Sequence, residues 1–425
     1  MVYSHNKMVG RFALLVLLVT CCCAAKRTRY DGYNLLKVTS ETADQHNVLR
    51  HIHNGARRLG VDFWTEPSKL HNDVLILIAP RGLKYVLTRF IESGIKYDVV
   101  SKDIQSVIDS REAKRKTSTQ QGQQFFTDYR TPDEIYAWLN SSIGRCPSGV
   151  TCSLLNIGST YEGRPLQVFK LSTGDGRRKI WLDGGIHARE WISPATVMYV
   201  IEQLLTGYGT DASVTPLLDN YDWYIMPLIN VDGYLNTWNV DRMWRKTMSP
   251  TWDEDCIGTD ANRNFDHMWN SIGTNDDPCA QTYAGETAFS EVEALAVGNF
   301  IMPRASEFIS FITVHSAAQL LLLPWGYTSD YTPDYDELMR VGNAWADAIE
   351  DNRGTIYPVG TSNDILYPSS GTSRDWAKGV PQIKYVYTVE LPGFGWGFLL
   401  PPEEIIPVGN ETWDGFKAMV SQFQP

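Results

Sequence analysis

His187 and Glu190 stand three residues apart in Ile180-Trp-Leu-Asp-Gly-Gly-Ile-His-Ala-Arg-Glu-Trp-Ile-Ser193, where an apolar run breaks at two glycines. An imidazole nitrogen and a carboxylate at that spacing can hold one zinc ion, although HxxE alone is a common pattern. Two further runs end on groups of the same kind: Phe311-Ile-Thr-Val-His315 delivers a histidine and Tyr387-Thr-Val-Glu390 a glutamate. His187, Glu190 and His315 supply two nitrogens and one carboxylate, the ligand set of a catalytic zinc site that leaves a fourth position for water. His267 is the one other histidine after residue 116, and within Phe265-Asp-His-Met-Trp269 it reads as a loop residue.

Such groups need elements to aim them. Residues 180–207 read as strand, turn and helix, with Ser193 as the cap, Pro194 at the first helical position and the run Val197 to Leu205 as a buried helix stopped at Gly207. Further strands are expected at Trp223–Met226, Phe308–Val314 and Tyr385–Glu390. Helices are expected at Pro132–Leu139, Glu291–Phe300, Tyr335–Glu350 and Trp413–Phe423, with Ser290 and Glu293 forming a capping box. This alternation predicts an α/β fold: a mixed, mainly parallel twisted sheet with helices on both faces, whose strand ends gather His187, Glu190, His315 and Glu390 in one crevice. Residues 30–100 keep a different rhythm. Apolar stretches at Tyr33–Val38, Val61–Trp64, Val74–Ile78 and Tyr97–Val100, with helical patterns around Leu49 and Ile52 and at Tyr85–Ile91, give the order βαββαβ. That is a small ferredoxin-like α+β unit, expected to be stable by itself.

Composition sets the compartment and excludes some partners. The chain has 425 residues, 43% of them hydrophobic, and a formal charge of -11, which argues against a nucleic-acid surface. Lys7 and Arg11 precede the apolar run Phe12–Ala25, which is too short to span a bilayer comfortably and ends in small residues; residues 1–25 read as a secretory signal peptide, with a membrane anchor as the alternative. Beyond it remain Cys146, Cys152, Cys256 and Cys279, and sequence proximity favours pairing Cys146 with Cys152 and Cys256 with Cys279 over the other two connectivities. Asn140 and Asn410 lie in glycosylation sequons. After the polar stretch Ser101–Thr119, which contains Arg111-Glu-Ala-Lys-Arg-Lys116, the residues Ser118–Gln124 look like an exposed linker, and the basic run is a target for a trypsin-like protease.

Taken together, His187-Ala-Arg-Glu190, Met243-Trp-Arg-Lys246, Asp260-Ala-Asn-Arg-Asn264, Val314-His-Ser316, Ile365-Leu-Tyr367 with Ser370-Gly371, and Thr388-Val-Glu-Leu391 resemble, in order and approximate spacing, the secreted zinc metallocarboxypeptidase precursors of the pancreatic A/B type, also found as insect digestive enzymes. Carboxypeptidase A is itself a standard example of the two-histidine, one-glutamate zinc site. The resemblance covers nearly everything from Tyr30 onward. It implies an activation propeptide at residues 26–116, a βαββαβ lid plus connecting helix, and a catalytic domain at 117–425. It further implies Zn2+ as cofactor, Glu390 as general base, Arg245 as oxyanion stabiliser, and Asn262, Arg263 and Tyr367 as the grip on the substrate's terminal carboxylate. Asp260 looks like the carboxylate that orients His187, and Arg189 and Arg242 match positions along the substrate path. Implied partners are peptides with a free C-terminus and an activating trypsin-like protease; the protein is expected to be a secreted monomer of the digestive lumen.

Two positions depart from the pancreatic pattern. The residue seven positions after Tyr367 decides the family's side-chain pocket, apolar in A-type and Asp in B-type enzymes; here it is Arg374. A buried guanidinium favours a carboxylate by bidentate pairing, so release of C-terminal Glu or Asp is expected, the alternative being that Asp364 or Asp375 neutralises Arg374 and leaves an A-like pocket. Ser362, Ser369 and Thr372 add polarity to that pocket. Ala317 replaces a tyrosine and would alter the upstream subsites. A silent peptide-binding relative would have lost a zinc ligand or the base, and all four residues are present. A hormone-trimming carboxypeptidase is opposed by the propeptide and by Arg374.

Overall fold

The N-terminal unit runs β1 (Asn34–Thr39), α1 (Ala43–Asn54), α2 (Ala56–Leu59), β2 (Val61–Phe63), β3 (Asp73–Ile78), α3 (Pro80–Glu92) and β4 (Tyr97–Ser101). In this computed structural model, which describes residues 27–67, 69–119 and 124–424, its sheet has the order β2-β3-β1-β4 and is antiparallel at every pairing. The expected leader at 1–25 lies outside the described residues. The βαββαβ order holds, with the one-turn α2 added. Strand side chains alternate faces, so Leu36, Val38, Val74, Ile76 and Ile78 pack under Leu49, Ile52, Val86 and Phe90 of the helices. The opposite face carries Leu35, Leu77 and Trp64, and these join Met243, Phe398 and Leu399 from the rest of the chain. This corrects the expectation of a self-sufficient unit: both faces of its sheet are apolar, and the second is covered by the larger domain.

A helix, α4 (Ile104–Thr119), leads away from the small unit along the stretch Ser101–Thr119, whose composition is helical, and takes in Ser118 and Thr119, the first residues expected as linker. There follow α5 (Pro132–Ile143), β5 (Thr151–Ser159), β6 (Pro165–Ser172), β7 (Arg178–Gly184), α6 (Ile192–Gly207), α7 (Thr215–Asn220), β8 (Tyr221–Met226), α8 (Val231–Asn239), α9 (Val292–Ile301), β9 (Phe308–Leu323), α10 (Tyr335–Arg353), β10 (Val359–Thr361), α11 (Ser362–Ile365), α12 (Ser373–Gly379), β11 (Tyr385–Pro392) and α13 (Ile405–Ser421). The large sheet has the order β10-β9-β7-β8-β6-β5, with β11 lying along β9. β7 pairs parallel with both β8 and β9, β11 and β10 pair parallel with β9, and β5, β6 and β8 form the antiparallel edge. The expected mixed, mainly parallel sheet is present. Its unanticipated parts are the β5–β6 hairpin and the extension of β9 past His315 to Leu323, which brings Thr388 against both Thr313 and Leu322. Cys146 is bonded to Cys152 and Cys256 to Cys279, with Cα separations of 5.9 and 5.0 Å.

Three helix starts differ from expectation. Ser193 is not a cap: α6 begins at Ile192, and the Ser193 hydroxyl donates to the Val314 carbonyl (2.6 Å) and accepts from the Gly185 amide (2.9 Å). It therefore ties the turn after β7 to the neighbouring strand β9. Gly185, at φ 64°, is where this turn needs a residue without Cβ. Ser290 and Glu293 form no capping box, because α9 starts at Val292 without a side-chain cap and Glu293 is buried. The last helix starts at Ile405, eight residues before Trp413; Pro407 sits in its first turn, where a missing N–H costs nothing.

Candidate active site

The site lies beyond the end of β7, beside His315 within β9 and Glu390 near the end of β11. Nδ1 of His187 is 2.8 Å from Oε1 of Glu190, and Nδ1 of His315 is 3.1 Å from Nδ1 of His187 and 3.2 Å from Oε2 of Glu190. All three residues are buried, and their donor atoms lie within 4.8 Å of one another. The backbone amide of Ser316 donates to Glu190 Oε2 at 3.1 Å, fixing the carboxylate from the strand that carries His315. The parallel register sets Glu390 opposite His315, on the adjacent strand.

Asp260 joins several of these groups. Its Oδ1 lies 3.0 Å from His187 Nε2 and accepts from the Asn262 amide at 3.0 Å, while Oδ2 accepts from Arg245 Nη2 (2.7 Å) and Nε (3.2 Å). One carboxylate thus holds both the ring of His187 and the guanidinium of Arg245, a double duty the sequence did not reveal. Asn262 directs Nδ2 toward His315 Nε2 (3.3 Å) and accepts from the Ser373 amide at 2.9 Å. Arg263 donates to the carbonyls of Gly273 (3.0 Å) and Asn262 (2.9 Å), leaves a buried Nη2 with no hydrogen bond in the protein, and sits 5.9 Å from the Tyr367 ring centroid.

Charge and burial divide the acids. Asp260 is held well below the usual carboxylate range because Arg245, His187 and Arg263 together outweigh its burial. Glu190 is likewise lowered against its burial, chiefly by His187. Glu390 is pushed up to about 7, mainly by burial, with Arg245 and Arg374 among the charges acting against that rise. Burial, helped by Arg245, keeps His187 below the ordinary histidine value. His315 is raised because Glu190 outweighs burial. Burial raises Tyr367 as well.

The other expected residues surround this centre. Arg242 donates to the carbonyls of Arg189 (3.0 Å) and Phe398 (2.7 Å) and lies over the Trp191 ring. Arg189 donates to Asp62 at 2.7 Å, across the boundary with the N-terminal unit, and covers the Phe398 ring. Asp62 also accepts from Trp64 Nε1 at 3.0 Å, and Trp64 packs on Phe398. Neither residue was anticipated, since nothing in Val61-Asp-Phe-Trp64 says which surface that strand end will meet. Arg374 is buried and donates through Nε to Asp375 (3.0 Å), the neighbour that the alternative reading had offered as its counter-charge. His267 lies in a loop as expected, stacked on Trp325.

Residues 135–415 match the model of the zinc carboxypeptidase family, and residues 36–111 match that of the carboxypeptidase activation peptide. The chain belongs to the zinc carboxypeptidase family. It is 37% identical over 402 residues to zinc carboxypeptidase A 1 of Anopheles gambiae, covering 94% of this chain and 91% of that one. It is 42% identical over 299 residues to carboxypeptidase B of Astacus astacus, covering 70% of this chain and 97% of the relative. Its fold matches the crystal structure of thrombin activatable fibrinolysis inhibitor with a TM-score of 0.84 and 30% identity, over 93% of this chain and 99% of that one.

The donor set of this zinc carboxypeptidase suits its metal. Two imidazole nitrogens and a carboxylate oxygen converge and Asp260 occupies the far nitrogen of His187, the donor set and outer support of a three-ligand catalytic zinc site. Among the described residues no helix is long and apolar enough to cross a membrane.

Proposed function

We propose that the chain is the secreted zymogen of a zinc carboxypeptidase that releases C-terminal Glu or Asp. On this reading residues 1–25 direct export, residues 26–116 are the activation segment, and residues 117–425 are the monomeric enzyme. The observation that carries the site assignment is the convergence of His187, Glu190 and His315 with Glu390 in register beside His315.

His187, Glu190 and His315 would hold the zinc, which supplies a Lewis acid and lowers the pKa of water to about 7. Glu390 takes the proton of the attacking water and passes it to the leaving nitrogen, work for which a carboxylate raised toward neutrality is suited. Arg245, immobilised by Asp260, offers a fixed positive charge to the oxygen of the scissile carbonyl and needs no reorganisation when that charge develops. Arg263, with an unengaged Nη2, binds the terminal carboxylate together with Asn262 and Tyr367. Arg189 and Arg242 line the path of the upstream residues, and Asp62 and Trp64 of the uncut segment cover that path. Arg374 receives the acidic side chain.

An A-type pocket is the second reading, favoured by the Arg374–Asp375 pair and by the name of the Anopheles relative. One panel separates the possibilities: peptides differing only in the C-terminal residue, assayed before and after trypsin, with and without a chelator. Glu-ending peptides should be cut fastest, by trypsin-treated protein alone, and the chelator should abolish turnover. Faster release of Leu than of Glu excludes the acidic preference, equal activity of uncut protein excludes the zymogen, and activity that survives chelation excludes the metal mechanism.

A further inference from the structure

Arg374 is anchored by one edge only. Its Nε donates to Oδ1 of Asp375, whose Oδ2 accepts from the Gly326 amide at 2.8 Å. Both carboxylate oxygens are thus in use, and Asp375 is wholly buried within the first turn of α12, where its own amide donates to the Thr372 hydroxyl at 3.2 Å. Its Nη2 is buried and has no hydrogen-bond partner among the described residues. It lies against Gly326: a Cβ at that position would stand 2.5 Å from Nη2 and 2.7 Å from the Ser369 carbonyl. Gly326 therefore serves twice, with its amide fixing Asp375 and its missing side chain making room for the guanidinium.

We infer that Gly326 and Asp375 form a seat that sets the orientation of the Arg374 fork, so that a side-chain carboxylate is recognised by directed, two-point hydrogen bonding and not by positive charge alone. This rests on the acidic preference proposed above. An isolated charge in the pocket would serve equally well as lysine; a guanidinium held by Nε has a planar pair of outer nitrogens pre-set for a carboxylate, and lysine cannot reproduce that geometry. The buried, unpartnered Nη2 is the group such a ligand would satisfy, and leaving it unsatisfied is what an apolar side chain would do. Gly326 and Asp375 are positioning residues; Arg374 makes the contact.

The trypsin-activated full-length protein and its Arg374→Lys and Gly326→Ala variants are compared on two peptides that differ only in a terminal Glu or Leu. The expected result is a Glu-to-Leu ratio of kcat/KM that falls about tenfold or more in both variants, carried by a higher KM for the Glu peptide. Arg374→Lys keeps the charge and the fold, so it decides the matter if Gly326→Ala loses activity on both peptides through misfolding. Retention of the parent ratio by Arg374→Lys, or by a folded Gly326→Ala, overturns the seat. A parent enzyme that prefers Leu overturns the acidic reading itself, a separate and recognisable result.

Discussion

Asp260 stands 3.0 Å from His187 Nε2 with one oxygen and 2.7 Å from Arg245 Nη2 with the other, so a single carboxylate orients both residues, the metal ligand and the oxyanion donor of the proposed mechanism. Asp260→Asn leaves the shape and removes the charge. Zinc affinity should fall about 10- to 100-fold, the usual cost of losing such a partner, and kcat/KM should fall further because Arg245 is loosened as well. Equilibrium dialysis against a zinc buffer reads the first effect separately; unchanged affinity would refute the coupling.

Glu390→Gln preserves volume beside His315 but cannot accept the proton. Turnover should drop by about 10²–10⁴ with zinc content and KM close to those of the parent, which metal analysis of the purified variant and steady-state kinetics would check. A fall confined to KM would assign Glu390 to binding.

The bond between Arg189 and Asp62 crosses from the catalytic part to the N-terminal unit. Asp62→Ala removes it and frees a nearly buried guanidinium. Uncut Asp62→Ala protein should show activity on a small substrate about tenfold above that of the uncut parent, while the two trypsin-treated enzymes remain equal. If the uncut proteins match, the contact does not contribute to closure.

Glu293, buried beneath the turn that joins β5 and β6, is pushed up to about 7 by burial, with Glu291 and Asp232 adding to the effect. A carboxyl raised in the folded state holds its proton more tightly than in the unfolded chain. Its contribution to stability is therefore complete below the unfolded value of 4.5 and is lost as pH rises to about 7. Glu293→Gln should melt at higher temperature than the parent at pH 8, by an increment worth at most about 3 kcal/mol, and the advantage should vanish near pH 4. An advantage of equal size at both pH values would point to packing, not titration.

The sequon at Asn140 is exposed on α5, and the basic run at the end of α4 is only partly accessible: Lys114 is exposed, whereas Arg115 donates to Glu134 at 2.8 Å and lies over the Trp238 ring. Trypsin-like cleavage after Arg115 therefore requires its side chain to leave Glu134 and the Trp238 ring. N-terminal sequencing during limited proteolysis should find cleavage after Arg115 accelerated several-fold by Glu134→Gln; equal rates would show that the Arg115–Glu134 contact offers no protection.

Much of this protein was legible because its chemistry is written locally. His187 and Glu190 share one turn, and His315 and Glu390 follow apolar runs whose β propensity places them on strands, although β9 continues past His315 to Leu323. The two disulfides close short loops between near neighbours, and the two halves differ visibly in their hydrophobic rhythm. The errors fell where a local signal was overruled by a distant partner: Ser193 could cap a helix but is claimed by Val314 and Gly185, and Pro407 and Gly409 hid the first turns of α13. What sequence could not supply is everything made by convergence. The separations of 73 positions from His187 to Asp260, 127 from Asp62 to Arg189 and 49 from Gly326 to Asp375 carry no record of contact. Residue types and spacing determined which groups are available. Only folding decided which of them share a carboxylate, because that depends on where parallel strands end and on which buried charges must find a counter-charge.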